Sequence, residues 1–113
     1  MLDPQDALPL TPLTLAVLTA LLDGELHGYG IIKAVEEQSE GRLRPGPGSL
    51  YAALDRLSAS DLIAERQADQ GGGAAQRLFA LSSYGRAVLR AEYARLERLA
   101  AIARTRGLDV RRA

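Results

Sequence analysis

The sequence predicts a mainly α fold with a small β-hairpin, and three observations predict it. Three short segments carry apolar residues at helical spacing. Two strand-like runs follow, joined by a glycine-rich connection. A much longer helical segment closes the chain.

Residues 1–10, with Pro4 and Pro9, read as a flexible leader that the core does not require. The first helix begins at Thr11-Pro12, a hydroxyl N-cap followed by proline at the first helical position. Leu13, Ala16, Val17, Ala20 and Leu21 then share one apolar face, and Gly24 ends the helix. Gly28-Tyr29-Gly30 opens a second helix with Ile31, Ile32 and Val35 inward and Lys33, Glu36 and Glu37 outward, running to about Ser39 before Gly41 breaks it.

After the linker Arg42-Leu43-Arg44-Pro45-Gly46, Pro47 and Ser49 open a third helix. Leu50, Leu54, Leu57 and Asp61 fall on one of its faces. The other face carries Gly48, Ala52, Asp55, Arg56 and Ala59, small or polar groups that let the backbone approach another molecule closely. Residues 62–67 and 77–81 alternate as strands and form a hairpin with a flexible tip over 69–76, which contains Gly71-Gly72-Gly73.

From Ser82 or Ser83 a long helix runs to about Arg106. Leu89, Tyr93, Leu96, Ala100 and Ala103 make a stripe along it, flanked by Val88 and Leu99. At 1.5 Å per residue it spans roughly 36 Å. A body of this size cannot cover such a stripe, so its far end is expected to pack on a second subunit. The domain reading is therefore a leader (1–10), a compact body (11–82), a dimerisation helix (83–106) and a tail (107–113).

Composition narrows the function. The chain has 113 residues and no cysteine, which removes disulfides, thiolate metal sites and a cysteine nucleophile. The longest mainly apolar stretch, Leu13 to Leu22, is well short of the roughly 20 residues that cross a bilayer, so no membrane partner is expected. With no basic stretch and apolar run at its start, the sequence fits a cytoplasmic protein. The net charge is zero, yet residues 1–40 carry seven acidic side chains against Lys33 alone. Any contact with a polyanion must be local.

Helix, helix, short turn, helix and hairpin, in that order, make a winged helix-turn-helix. Its third helix has about the width of the DNA major groove, where base edges are distinguishable, and its hairpin reaches the neighbouring backbone or minor groove. Ser49, Tyr51 and Arg56 are the candidates for groove contact, offering a hydroxyl, a phenol and a guanidinium at the start or flank of that helix. Arg42 and Arg44 before it, Gln76 and Arg77 at the base of the wing, and Tyr29 and Lys33 on the second helix are candidates for phosphate contact. Asp55 would repel phosphate and is left out of the set.

Other chemistries find no support. His27 is the only histidine and makes no metal site; Ser49 and Asp55 do not turn it into a triad. Gly46-Pro47-Gly48-Ser49 lacks the lysine of a phosphate loop, and its proline removes a backbone donor. No enzyme activity and no cofactor are expected. The arginines of the last helix form a solvated face. The rival function is a winged-helix module that binds a protein, without DNA, through the small-residue face of the third helix.

Three stretches also resemble a family, the PadR-like transcriptional regulators, in particular short members with a single C-terminal dimerisation helix. They are Leu13–Leu18, His27-Gly28-Tyr29-Gly30-Ile31, and Gly48-Ser49-Leu50-Tyr51-Ala52-Ala53-Leu54-Asp55-Arg56-Leu57 continuing to Asp61-Leu62-Ile63. The last is the most specific. Arg77–Ser82 followed by Tyr84-Gly85 is similar to the family's second wing strand, with Leu78 and Ser82 departing from its pattern.

The resemblance implies a repressor-like protein that binds double-stranded DNA, with residues 47–59 as the recognition helix. It also implies a homodimer made through the final helix, and it makes a small-molecule inducer at the dimer interface a candidate partner. Short members that bind flat aromatic drugs there use a tryptophan, and this chain has none.

Overall fold

A computed structural model describes residues 2–69 and 75–111. The expected flexible tip at Gly71-Gly72-Gly73 lies outside the described residues.

Helix α1 (Pro12–Ala20) starts as its sequence dictates. Thr11 Oγ1 accepts from the Thr14 amide at 3.2 Å, and Pro12 occupies the first turn. Ala16, Val17 and Leu18 are buried, and a 3-10 turn over Leu21–Asp23 buries Leu21 before Gly24. There the chain makes a strand that its sequence does not announce, β1 (Leu26–His27). It pairs antiparallel with a later strand through Leu26↔Phe79 and His27↔Leu78. Two residues are too few for any alternation to register.

Helix α2 (Gly28–Gln38) buries Ile31 and Val35, and α3 (Pro47–Ala59) buries Leu50, Ala53, Leu54 and Leu57. Gly28 lets the Tyr51 side chain of α3 lie close against the start of α2: a Cβ there would lie 2.2 Å from the Tyr51 hydroxyl oxygen, so the phenol would have to shift. The chain leaves α3 through a left-handed residue, Asp61 (φ 62°), with the Leu62 amide donating to Leu57 O at 3.0 Å and the Asp61 amide to Ser58 O at 3.1 Å. Asp61 was expected on the leucine face; it is instead exposed, because the helix ends before its turn would bring it inward.

Strands β2 (Ile63–Asp69) and β3 (Ala75–Leu81) pair from Ile63↔Leu81 to Asp69↔Ala75 and complete a sheet in the order β1-β3-β2. Phe79 points from the central strand into a core shared with Leu18, Ile31, Val35, Leu50 and Leu54. Helix α4 (Ser83–Thr105) is capped by Ser82, whose Oγ accepts from the Gly85 amide at 2.8 Å.

Only the first half of α4 closes that core, burying Gly85, Val88, Leu89 and Glu92. This corrects the expected dimer surface. Val88 and Leu89 are fully covered within their own chain and are not free for a partner. The stripe runs without a break along the helix, so periodicity alone does not mark where the chain's own core stops.

The leader differs from expectation as well. It forms a short 3-10 turn, Pro4–Ala7, lies against α4, and sends the Leu10 amide to Glu92 Oε2 at 2.8 Å. Glu92 is 1% exposed and also accepts from Arg95 Nε, in an ion pair that lowers its pKa; the Leu10 amide adds to that effect. A carboxylate beneath a segment that looks like a loose end is thus the one buried charged side chain among the described residues.

Candidate nucleic-acid interface

Burial of Leu50, Leu54 and Leu57 fixes the rotation of α3 and leaves Gly48, Ser49, Ala52, Asp55, Arg56 and Ala59 exposed on one side. The face expected to be free is free. Ser49 is exposed in the first turn; the N-cap is Gly46, so Ser49 does not serve as the cap. Arg56 is exposed, and none of the ion pairs among the described residues engages it.

Four of the predicted residues come together. Tyr29, Tyr51, Gln76 and Arg77, with His27, line a cleft of about 530 Å³ where the start of α2, the flank of α3 and the base of the hairpin meet. Tyr29 and Lys33 are both exposed, with the Lys33 ammonium 5.5 Å from the Tyr29 ring centroid. Tyr51 is half-buried. Its ring lies 6.3 Å from that of Phe79, and its hydroxyl reaches the Gly28 backbone. Arg42 and Arg44 sit apart from this cleft in the exposed α2–α3 connection, where Arg44 Nε donates to Gly41 O at 2.9 Å.

Arg77 is not the free cation that its place in the wing suggests. Its Nε donates to Glu65 Oε2 at 2.6 Å, and its Nη2 donates to Glu65 Oε1 and to Asp55 Oδ1, both at 2.9 Å. The guanidinium also lies 5.0 Å from the Tyr51 ring centroid and 5.3 Å from that of Phe79. Hydrogen bonds first to Glu65 and then to Asp55 raise its pKa, and the same guanidinium lowers that of Glu65.

One positive charge is therefore matched by two negative ones at the base of the wing. Sequence reasoning missed both partners. Glu65 was legible in principle, since strand pairing sets it diagonally from Arg77, whereas Asp55 lies on another element. A second pair, Arg66 with Glu25, ties β2 to the turn before β1; the hydrogen bond between them raises the pKa of Arg66 and lowers that of Glu25.

Among the described residues no cluster of three or more metal-ligating side chains occurs, and no helix is long and apolar enough to cross a membrane.

Residues 17–91 match the family described as the transcriptional regulator PadR-like family. An uncharacterized 37.1 kDa protein in transposon TN4556 of Streptomyces fradiae is 48% identical over 83 residues. That match covers 74% of this chain, which spans 22% of that protein's length. A PadR family transcription regulator from Clostridium difficile R20291 has a similar fold, with a TM-score of 0.72 at 18% identity over 84% of this chain and 97% of that one. Bacillus subtilis PadR, solved in complex with operator DNA, has a TM-score of 0.65 at 27% identity over 73% of this chain and 45% of that one.

Proposed function

The chain belongs to the PadR-like family of transcriptional regulators, and from that premise we propose that it is a repressor that binds a palindromic operator in duplex DNA as a homodimer. The carrying observation is the rotation of α3: four side chains buried on one side and a smooth exposed face with Ser49 and Arg56 on the other, next to the hairpin. Such a helix enters a major groove without steric obstruction. That B. subtilis PadR, similar in fold, was solved in complex with operator DNA supports duplex DNA as the partner.

In this reading Ser49 and Arg56 meet base edges. Arg42, Arg44, Lys33 and Tyr29 hold phosphates, and Tyr51 and Gln76 border the cleft in which a backbone strand would run. Arg77 aligns the wing. The second subunit covers the distal half of α4, where Leu99 and Ile102 are exposed apolar side chains and Leu96, Ala100 and Ala103 are half-buried; Tyr93, exposed at the middle of the helix, borders that surface. Two bodies joined there supply two half-sites.

A second reading, a winged-helix module that binds protein, is favoured by charge. Residues 11–82 carry six basic and nine acidic side chains. Selection from a pool of random duplexes at several salt concentrations separates the two. Enrichment of a symmetric sequence, with affinity that falls steeply as salt rises, is the expected outcome. No enrichment and no salt dependence would leave the protein-binding module standing instead.

A further inference from the structure

A groove of about 600 Å³ opens at the end of α3, sharing Ala59 but none of the proposed DNA-contact side chains with the DNA-facing side. The leader forms one wall through Leu2, Asp6 and Leu10; the end of α3 and the turn after it form the other through Leu57 and Asp61. Tyr84, at the start of α4, closes it, and a further hollow of about 350 Å³ shares Leu2, Asp61 and Tyr84 with it. The volume falls in the range of roughly 300–1,000 Å³ that holds organic ligands.

The chemistry of the lining is one-sided. It contains two carboxylates, Asp6 and Asp61, and no basic side chain. Neither carboxylate has a hydrogen bond or ion pair among the described residues, although the backbone of Asp61 is held firmly. Its carbonyl accepts from Ser82 Oγ at 2.6 Å, and its left-handed conformation is locked by the end of α3.

Leu2, Leu10, Leu57 and Leu62 supply apolar wall, and the Tyr84 ring can face a cation. Two carboxylates set in leucine do not meet the six or more oxygens that a calcium ion takes, nor the waters that magnesium keeps. They do suit a charge that is itself attached to an apolar body.

We propose that this groove is a binding site for a lipophilic organic cation. Apolar walls bind its body and the two carboxylates select its charge. The occupant bridges the end of α3 and the start of α4, within one chain and apart from the interface between final helices where an inducer was expected. The leader wall is held in place by the Leu10 amide on Glu92.

The test uses two ions of the same shape and opposite charge, tetraphenylphosphonium and tetraphenylborate, titrated calorimetrically into the full chain without DNA, so that its result is independent of the DNA reading. The expected result is saturable binding of the cation, no binding of the anion, and a loss of affinity of about fivefold for each of Asp6→Asn and Asp61→Asn. Asparagine tolerates the left-handed backbone at 61, and unchanged melting temperatures confirm that both variants fold. Equal binding of the two ions overturns the proposal. So does failure of the cation to bind, or cation binding that neither substitution weakens.

Discussion

Arg77 donates from Nη2 to Asp55 at 2.9 Å while its other hydrogen bonds go to Glu65, so β3 and α3 are joined through one guanidinium that two carboxylates over-neutralise. A phosphate approaching the base of the wing meets a net negative site. Asp55→Asn removes one of the two competitors and leaves the two-point pairing with Glu65. The variant should bind duplex several-fold more tightly at low salt. Its plot of log affinity against log salt should be steeper by about 0.9, the value for one added phosphate contact. Fluorescence anisotropy over a salt series measures both, and an unchanged slope means that Arg77 stays out of reach of DNA.

Arg56 and Arg42 separate reading from gripping. Arg56 stands on the exposed face of α3, Arg42 in the connection before it. Arg56→Ala should relax preference at one base position by about 1–3 kcal/mol, whereas Arg42→Ala should weaken all duplexes alike and flatten the salt slope by about 1. Binding of each variant to a panel of single-position operator variants distinguishes the two patterns. If the two substitutions have the same effect on every duplex, the assigned roles are wrong.

What was legible in the sequence follows from the range of each signal. Thr11-Pro12 and the leucines at 50, 54 and 57 mark α1 and α3 because capping and periodicity are local, and the orientation of the proposed DNA-facing side follows from the leucines alone. The tertiary pairings were not legible. Asp55 and Arg77 are 22 residues apart, and the Glu92 contact with Leu10 spans 82. Glu92 in particular looks like a solvated residue of an arginine-rich helix, and it is buried only because an aperiodic leader lies over it. The same reach explains why Val88 and Leu89 looked like interface and are core.

The joint between α4 and the body depends on Gly85. A Cβ at this position would sit 2.0 Å from the Leu62 carbonyl oxygen, which already accepts from Ser82 Oγ at 2.9 Å. Backbone cannot yield as a side chain can, so Gly85→Ala should destabilise the fold by about 2–3 kcal/mol. That corresponds to a fall of roughly 10 °C or more in melting temperature by circular dichroism. A change under a few degrees would show that the turn after α3 can move away from α4.

Glu92 should make stability sensitive to acid. Its pKa is lowered from the ordinary 4.5, first by the hydrogen bond from Arg95 and then by that from the Leu10 amide. Because the folded-state value lies below that of the unfolded chain, the ionised carboxylate stabilises the fold above the unfolded value. This contribution is lost as pH falls through the folded one. Melting temperature should therefore drop as pH falls below the ordinary 4.5 in the wild type and drop less in Glu92→Gln. Parallel curves for the two proteins would assign the acid sensitivity to other carboxylates.

Leu99 and Leu89 lie on the same helix and should fail in different ways. Leu89 is 2% exposed inside its own chain, while Leu99 is 47% exposed and Ile102 46% on the distal half, where the body no longer covers the helix. A charge at 89 must be buried in the core, so Leu89→Glu should unfold the chain. A charge at 99 is harmless to an isolated chain and intolerable only in an apolar interface. Leu99→Glu should thus keep its circular dichroism spectrum and melting cooperativity while sedimentation equilibrium shows a monomer. DNA affinity should fall with it, because one half-site then binds without the other. A dimer that survives Leu99→Glu would place the subunit contact away from the distal half of α4.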